Sequence, residues 1–287
     1  MTDNIYTPGG TLEIIKKYNF AIQKKYGQNF LVDGNVLDKI IDGAEITEED
    51  CVIEIGPGVG AMTRGLAQRA HSVAAVEIDP MLIPILSETL DGLENVDIIN
   101  GDILKFDIDA YISDNFGGKP AKVVANLPYY ITTPIIMELL KKGSMLRSIT
   151  VMIQKEVAQR MCAGPGTKDY GALSLAVQYY TKPVLIAEVP PTCFIPRPKV
   201  SSTVIRLELL DEKGVSVKDE ELFFRLIRAA FNQRRKTLVN SIFNCQELDI
   251  GKDAVVRALN GLGLREDIRG EALTLEQFAE LSDIIET

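Results

Sequence analysis

Short apolar runs recur along the first two thirds of the chain, each followed by a segment whose apolar residues return at helical spacing. Cys51–Ile55, Ser72–Glu77, Val96–Asn100, Ala121–Ala125 and Ser148–Ile153 have the length and β-branched content of buried strands. Between or after them Ala61–Ala70, Pro80–Leu90, Pro134–Lys142, Lys155–Cys162 and Leu173–Tyr180 read as helices. Pro80 suits a first helical turn, and Asp79 is placed to cap it. Val184–Val189 and Thr203–Leu209 complete the strands. Upstream, Thr11–Tyr18 reads as a short helix, and Asn35–Ala44 sets Val36, Leu37, Ile40, Ile41 and Ala44 on one helical face. Alternation of this kind predicts an α/β fold: a doubly wound, mainly parallel, seven-stranded sheet.

The pattern changes near residue 210. Leu210–Lys218 is charged and holds Gly214, and beyond it every periodic segment is helical: Asp219–Phe231, Arg234–Phe243, Lys252–Leu259 and Thr274–Ile285. Thr274 and Gln277 have the spacing of a capping box. The expected division is a sheet domain over residues 1–210 and a small all-α domain over residues 211–287.

Composition narrows the function classes. With 287 residues and 46% apolar side chains the chain can bury a real core, and it has no run long enough to span a membrane. The first ten residues are polar, with no secretory leader, and Cys51, Cys162, Cys193 and Cys245 lack paired-ligand spacing, so a cytoplasmic protein without a metal site is expected. His71 is the only histidine, which leaves no Ser-His triad and no His cluster. A net charge of −9 argues against indiscriminate coating of nucleic acid. It leaves room for an RNA enzyme whose basic residues are gathered in patches.

Four stretches carry chemistry, each at the end of a predicted strand. Glu54-Ile55-Gly56-Pro57-Gly58-Val59-Gly60 follows the first strand and opens a helix. Its glycines, with Gly56 and Gly58 foremost, allow a tight turn and close approach of a ligand to the backbone; the spacing G-x-G-x-G departs from the dinucleotide fingerprint. Glu77 ends the second strand about 20 residues later, where an acid can accept from both hydroxyls of a ribose. Asp102 follows the third strand and can accept from the amino group of an adenine. The fourth strand stops at Asn126-Leu127-Pro128-Tyr129. Asn126 brings an amide acceptor, Leu127 a carbonyl, Pro128 a fixed φ that also restrains Leu127, and Tyr129 a flat face. Together they suit an exocyclic amine on a flat heterocycle; the same run also reads as a strand ending in a Pro turn.

The combination resembles S-adenosylmethionine-dependent methyltransferases with an amino-group acceptor. More narrowly, residues 24–31, Glu54–Gly60, Asn126–Tyr129, Gln154-Lys155-Glu156-Val157, Gly164–Gly171, Phe194-Ile195-Pro196-Arg197-Pro198-Lys199-Val200 and Asn232–Leu238 resemble the small-subunit ribosomal RNA adenine N6,N6-dimethyltransferase family (KsgA/RsmA). The likeness runs from about residue 16 to the end. It implies a class I, Rossmann-like catalytic domain that binds S-adenosyl-L-methionine, and a helical domain that binds RNA. It implies that Gln28, Asn29 and Leu31 close over the cofactor, that Gly56 lines its methionine part, that Glu77 holds its ribose and Asp102 its adenine. Asn126 then lies where methyl donor and target amine meet, and Tyr129 and Phe194 stack on a flipped-out base. Tyr130 departs from the family pattern, in which many members carry Asn after the motif tyrosine.

The implied reaction is dimethylation of two adjacent adenosines near the 3′ end of 16S rRNA during ribosome biogenesis, by a monomer acting on the immature small subunit. Basic groups fit that partner: Arg225, Arg228, Arg234, Arg235 and Lys236, with no acid among residues 222–246; Arg197 with Lys199; and Lys16, Lys17, Lys24 and Lys25. Three alternatives stand beside it. One is the large-subunit rRNA adenine methyltransferase of the macrolide-resistance type, which shares the loop and acceptor motifs. One is a ribosome-assembly factor whose methylation is secondary. The third, a nicotinamide-dependent dehydrogenase, is disfavoured by the glycine spacing.

Overall fold

The computed structural model describes residues 5–285. In chain order the elements are α1 (Pro8–Lys17), β1 (Phe30–Leu31), α2 (Gly34–Gly43), β2 (Cys51–Ile55), α3 (Ala61–Ala67), β3 (Ser72–Glu77), α4 (Ile83–Thr89), β4 (Val96–Asn100), α5 (Ile108–Asn115), β5 (Ala121–Asn126) and α6 (Thr132–Lys142). They continue with β6 (Leu146–Gln154), α7 (Lys155–Cys162), α8 (Ala172–Tyr180), β7 (Thr181–Val189), β8 (Phe194–Ile195) and β9 (Ser202–Leu209). Four helices follow: α9 (Glu220–Asn232), α10 (Leu238–Phe243), α11 (Lys252–Gly261) and α12 (Leu275–Ile284).

Seven strands form one sheet in the order β4-β3-β2-β5-β6-β9-β7. Pairing is parallel from β4 across to β6, and β9 runs antiparallel to β6. The central strands are buried along their length because helices cover both faces, which is why they read as near-continuous apolar runs. From β2 the chain first builds outward through β3 and β4, then returns to add β5 on the other side. The carboxyl ends of β2 and β5 therefore flank the switch point, the place where open α/β sheets bind ligands. Register sets Ile55 level with Val76 on one side and Ala125 on the other, so the glycine loop, Glu77 and Asn126 emerge at one edge.

Contacts divide the chain into two compact units, residues 1–158 with 184–209, and residues 159–183 with 210–287. The second unit joins residues 159–183 to 210–287, whereas the composition shift near residue 210 divides the chain at a single point. The reason is apolar burial: Tyr170, Leu175 and Tyr179 share a core with Phe223, Leu226, Ile227 and Phe278.

Several element boundaries differ from expectation for identifiable reasons. Helix α4 starts at Ile83, because Pro80 lies in a turn and Asp79 is spent on it, accepting from the Met81 amide at 3.1 Å. Helix α10 starts at Leu238: Thr237 caps it by accepting from the Asn240 amide, which leaves Arg234–Lys236 in the preceding turn. Helix α5, begun by Asp107 as N-cap, and the two-residue ladder of β1 with β8 had no counterpart in the sequence reading.

Candidate functional site

A cleft lies over the switch point, lined by Tyr26–Leu31, Gly56–Val59, Glu77, Ile78 and Asn126–Tyr129, with Glu54 in its wall. It encloses about 880 Å³, its open mouth included.

The floor comes from the β2 loop. Gly56 has φ +68°, and a Cβ built there meets nothing within 4 Å, so the backbone presents an open face to the cleft. Gly58 has φ +61°, and a Cβ there would press on the Phe30 ring at 3.1 Å. The Gly58 amide donates to Glu77 Oε2 at 3.2 Å and the Asp79 amide to Oε1 at 2.8 Å, so the Glu77 carboxyl is aimed by two backbone donors. Burial nevertheless pushes its pKa up to about 7.

Glu54 is stranger. It is 0% exposed, on a strand buried on both faces; among the described residues neither carboxyl oxygen makes a hydrogen bond of good geometry, and only the Thr63 hydroxyl is close enough to offset part of the burial. Burial pushes its pKa up to about 8, so it is held neutral at pH 7. Sequence reading quoted Glu54 only as the start of the loop, because inside an apolar run an acid gives no sign of whether a partner exists.

One side of the cleft is a strap. Gln28 accepts from the Gln23 amide at 2.7 Å and donates to Asp79 Oδ2 at 2.8 Å, tying the strap to the turn after β3. Asn29 Nδ2 donates to the Gly27 carbonyl at 2.9 Å. Leu31 is buried in β1. The opposite side is the Asn126 corner. Asn126 Nδ2 donates to the Asn29 carbonyl at 2.9 Å, which leaves Oδ1 without a partner among the described residues. The Leu127 amide is held by the Met152 carbonyl at 3.2 Å. The Pro128 carbonyl accepts from the Ile131 amide and the Thr132 hydroxyl, fixing the turn. Tyr129 is half-buried and its hydroxyl bonds Ser202 Oγ at 2.7 Å, so the ring is pinned at its far end.

Not every expected residue joins the cleft. Asp102 lies past β4, half-buried, its Oδ1 accepting from the Leu104 amide at 3.1 Å, and it does not line the cavity. Phe194 corrects the expectation of a second stacking ring: it is 2% exposed, paired with Leu31 in the β1–β8 ladder and packed in the sheet core. It plugs the core beneath the strap and offers no open face. Ile78, exposed on the cleft wall beside Glu77, and Ser202 were missed; an apolar residue directly after a strand-end acid was the available signal for Ile78.

The basic residues divide by use. Arg197, Lys199, Arg228, Arg235 and Lys236 are exposed, with no ion-pair partner among the described residues, and Arg225 is half-buried. Arg234 is a brace: it donates to the Lys168 and Tyr170 carbonyls at 2.9 Å and lies 3.7 Å from Glu271. Lys17 pairs with Glu88. Among the described residues no three His, Cys, Asp or Glu side chains cluster to hold a metal, and no helix is long and apolar enough to cross a membrane.

This sheet order, with β9 reversed against β6, its glycine loop after β2 and its acid at the end of β3, defines a Rossmann-like methyltransferase of the S-adenosylmethionine-dependent class. The chain belongs to the ribosomal RNA adenine dimethylase family, whose sequence model matches residues 19–286. It is 59% identical to ribosomal RNA small subunit methyltransferase A of Lachnoclostridium phytofermentans, over 97% of both chains. Among solved structures it resembles a dimethyladenosine transferase from Plasmodium falciparum, with TM-score 0.76 and 26% identity over 88% of this chain and 95% of that one. The 23S rRNA methyltransferase ErmE gives TM-score 0.68 and 26% identity, over 90% and 100%.

The cleft fits S-adenosyl-L-methionine on its own chemistry. An open glycine face suits the amino-acid part, and an aimed strand-end carboxyl suits ribose hydroxyls. Two buried acids, Glu54 and Glu77, stand in the wall with raised pKa values, so a bound cation would draw both toward their charged forms.

Proposed function

We propose that this protein dimethylates the N6 amines of two adjacent adenosines near the 3′ end of 16S rRNA, using S-adenosyl-L-methionine, during maturation of the small ribosomal subunit. The observation that carries this is the Asn126 corner opening on the same cleft as Gly56 and Glu77. The 59% identical relative named for the small subunit favours it over the large-subunit reaction, since the ErmE likeness stops at 26%. The reading extends to the immature small subunit as partner, to a cytoplasmic location and to a monomeric enzyme. Exposed Arg197, Lys199, Arg228, Arg235 and Lys236, with Arg225, are assigned to RNA phosphates.

Bound in the cleft, the cofactor supplies a methyl group carried on a positively charged sulfur. Glu77 accepts from its ribose, Gly56 and Gly58 face its amino-acid part, and Gln28, Asn29 and Leu31 close the strap beside it. Asp102, on the next strand end, is assigned to the adenine amino group. The target N6 is a poor nucleophile, because its lone pair is delocalised into the ring, and its protons are too weakly acidic for prior removal. Orientation is therefore what the protein contributes. Asn126 Oδ1 and the Leu127 carbonyl accept the two N6 hydrogens and turn the lone pair toward the cleft. Tyr129 lies against the extruded base, repaying about 1–3 kcal/mol of its unstacking. After the first methylation one N–H remains, so one acceptor stays unpaired in the second.

Incubating under-methylated small subunits and, in parallel, under-methylated large subunits with labelled S-adenosylmethionine, followed by nucleoside mass analysis, tests the proposal. Dimethyladenosine in the small-subunit RNA is expected. Label confined to large-subunit RNA, or none at all, overturns it.

A further inference from the structure

We propose that Tyr130 is a positioning residue for RNA: its ring is the platform on which the nucleotide next to the target adenosine stacks. The inference rests on the reaction proposed above and adds to it a contact outside the cleft. Tyr130 follows the acceptor corner directly, in a turn fastened by the Ile131 amide and Thr132 hydroxyl on the Pro128 carbonyl, at 3.2 and 3.0 Å. A methyl built on Gly27 would meet Tyr130 Cδ1 and Cε1 and Pro128 Cβ, each at 3.2 Å. Gly27 lines the cleft, so the Tyr130 ring stands at the rim. One edge of it rests on the strap, yet the residue is 60% exposed and its hydroxyl has no partner among the described residues.

The neighbouring tyrosine is the contrast. Tyr129 lines the cleft, half-buried, with its hydroxyl tied to Ser202. Two consecutive rings thus serve two places, one inside the cleft and one at its mouth. RNA threaded to deliver one base inward has a use for both. Extruding an adenosine strips its neighbour of a stacking partner, and an open aromatic face at the rim restores one without reading its identity. Exposed Lys25, whose ammonium lies 4.4 Å over the Tyr26 ring, adds positive charge on the strap next to Gly27 for the intervening phosphate.

The test uses the full-length protein, under-methylated small subunits, and a short RNA bearing 2-aminopurine beside the target adenosine. Tyr130→Ala is expected to raise KM for the subunits about tenfold with kcat and S-adenosylmethionine affinity unchanged. It should also remove the fluorescence quench that the intact protein imposes on 2-aminopurine, and Tyr130→Phe should restore both. Unchanged KM and quench in Tyr130→Ala overturns the inference. Loss of S-adenosylmethionine affinity in Tyr130→Ala overturns it too, since the ring would then serve only to brace Gly27. Failure of the unsubstituted protein to methylate subunits is a different result, and it removes the underlying reaction.

Discussion

Replacing Glu54 by Gln is expected to stabilise the protein above neutral pH and to leave it nearly unchanged near pH 5. In the folded chain the Glu54 carboxyl is fully buried, with only the Thr63 hydroxyl nearby to offset the burial, and keeps its proton up to about pH 8. In the unfolded chain it ionises near its ordinary value of 4.5. Below that value both states hold the proton and the group has no pH-dependent effect. As pH rises, the unfolded state gains from ionising while the folded state does not, so stability drains away until the folded pKa is passed. A gap from 4.5 to about 8, at about 1.4 kcal/mol for each tenfold in acidity, makes the full loss about 5 kcal/mol. That is a large part of the roughly 5–15 kcal/mol by which domains are stable. Gln is nearly isosteric and neutral at every pH, so it removes this slope and keeps the shape. Glu77, pushed up to about 7, contributes in the same direction and leaves the variant a shallower slope of its own. Urea midpoints followed by circular dichroism near pH 5, 7 and 9 measure both proteins. Parallel curves for the two would refute the reasoning, because they would mean Glu54 ionises in the folded state as freely as in the unfolded one.

Binding of cationic S-adenosylmethionine favours the charged forms of Glu54 and Glu77, so binding at neutral pH should release protons. Calorimetry in buffers of different ionisation heat reads the number, and Glu54→Gln should lower it. Glu77→Ala is expected to weaken cofactor binding by tenfold or more while RNA affinity holds, as equilibrium dialysis and filter binding would show. Arg235→Ala and Lys236→Ala should each reduce the salt slope of RNA binding by about one, without loss of thermal stability. Arg234→Ala should instead lower the melting temperature, because that guanidinium holds the Lys168 and Tyr170 carbonyls.

The sheet was legible because its central strands are buried on both faces and so write themselves as unbroken apolar runs; Cys51–Ile55 and Ser72–Glu77 need no correction. The placement of the glycine loop, Glu77 and Asn126 round one cleft was legible for a related reason: open α/β sheets bind ligands at strand ends, and strand ends can be counted. What sequence could not show depended on pairings far apart in the chain. The β1–β8 ladder joins residues more than 160 positions apart with two residues a side, and it decides that Phe194 faces the core. Arg234–Lys236 have good helix propensity, yet the Thr237 cap places them in a turn. Residues 159–183 look like one more helical crossover until Tyr170 and Tyr179 are seen among the side chains of α9 and α12.

The orientation of the Asn126 amide follows from a backbone atom that no motif reveals. The Asn29 carbonyl can only accept, so the amide must present its nitrogen there, which leaves its oxygen for the target amine of the proposed reaction. Asn126→Asp probes that division of labour, since it keeps the acceptor and removes the donor. A carboxylate would set two oxygens against each other where Nδ2 now lies 2.9 Å from the carbonyl. Only the protonated acid can donate to Asn29 and still accept from N6. Methyl transfer by the Asp variant should therefore fall by roughly ten- to a hundredfold near pH 8, the range of one lost buried hydrogen bond, and recover as pH falls into the range in which the new carboxyl takes up a proton. Initial rates across that range, measured beside the unsubstituted protein, decide the point. A flat profile for the Asp variant would show that the Asn29 carbonyl needs no donor, and the corner would then have to be aimed by something other than this hydrogen bond.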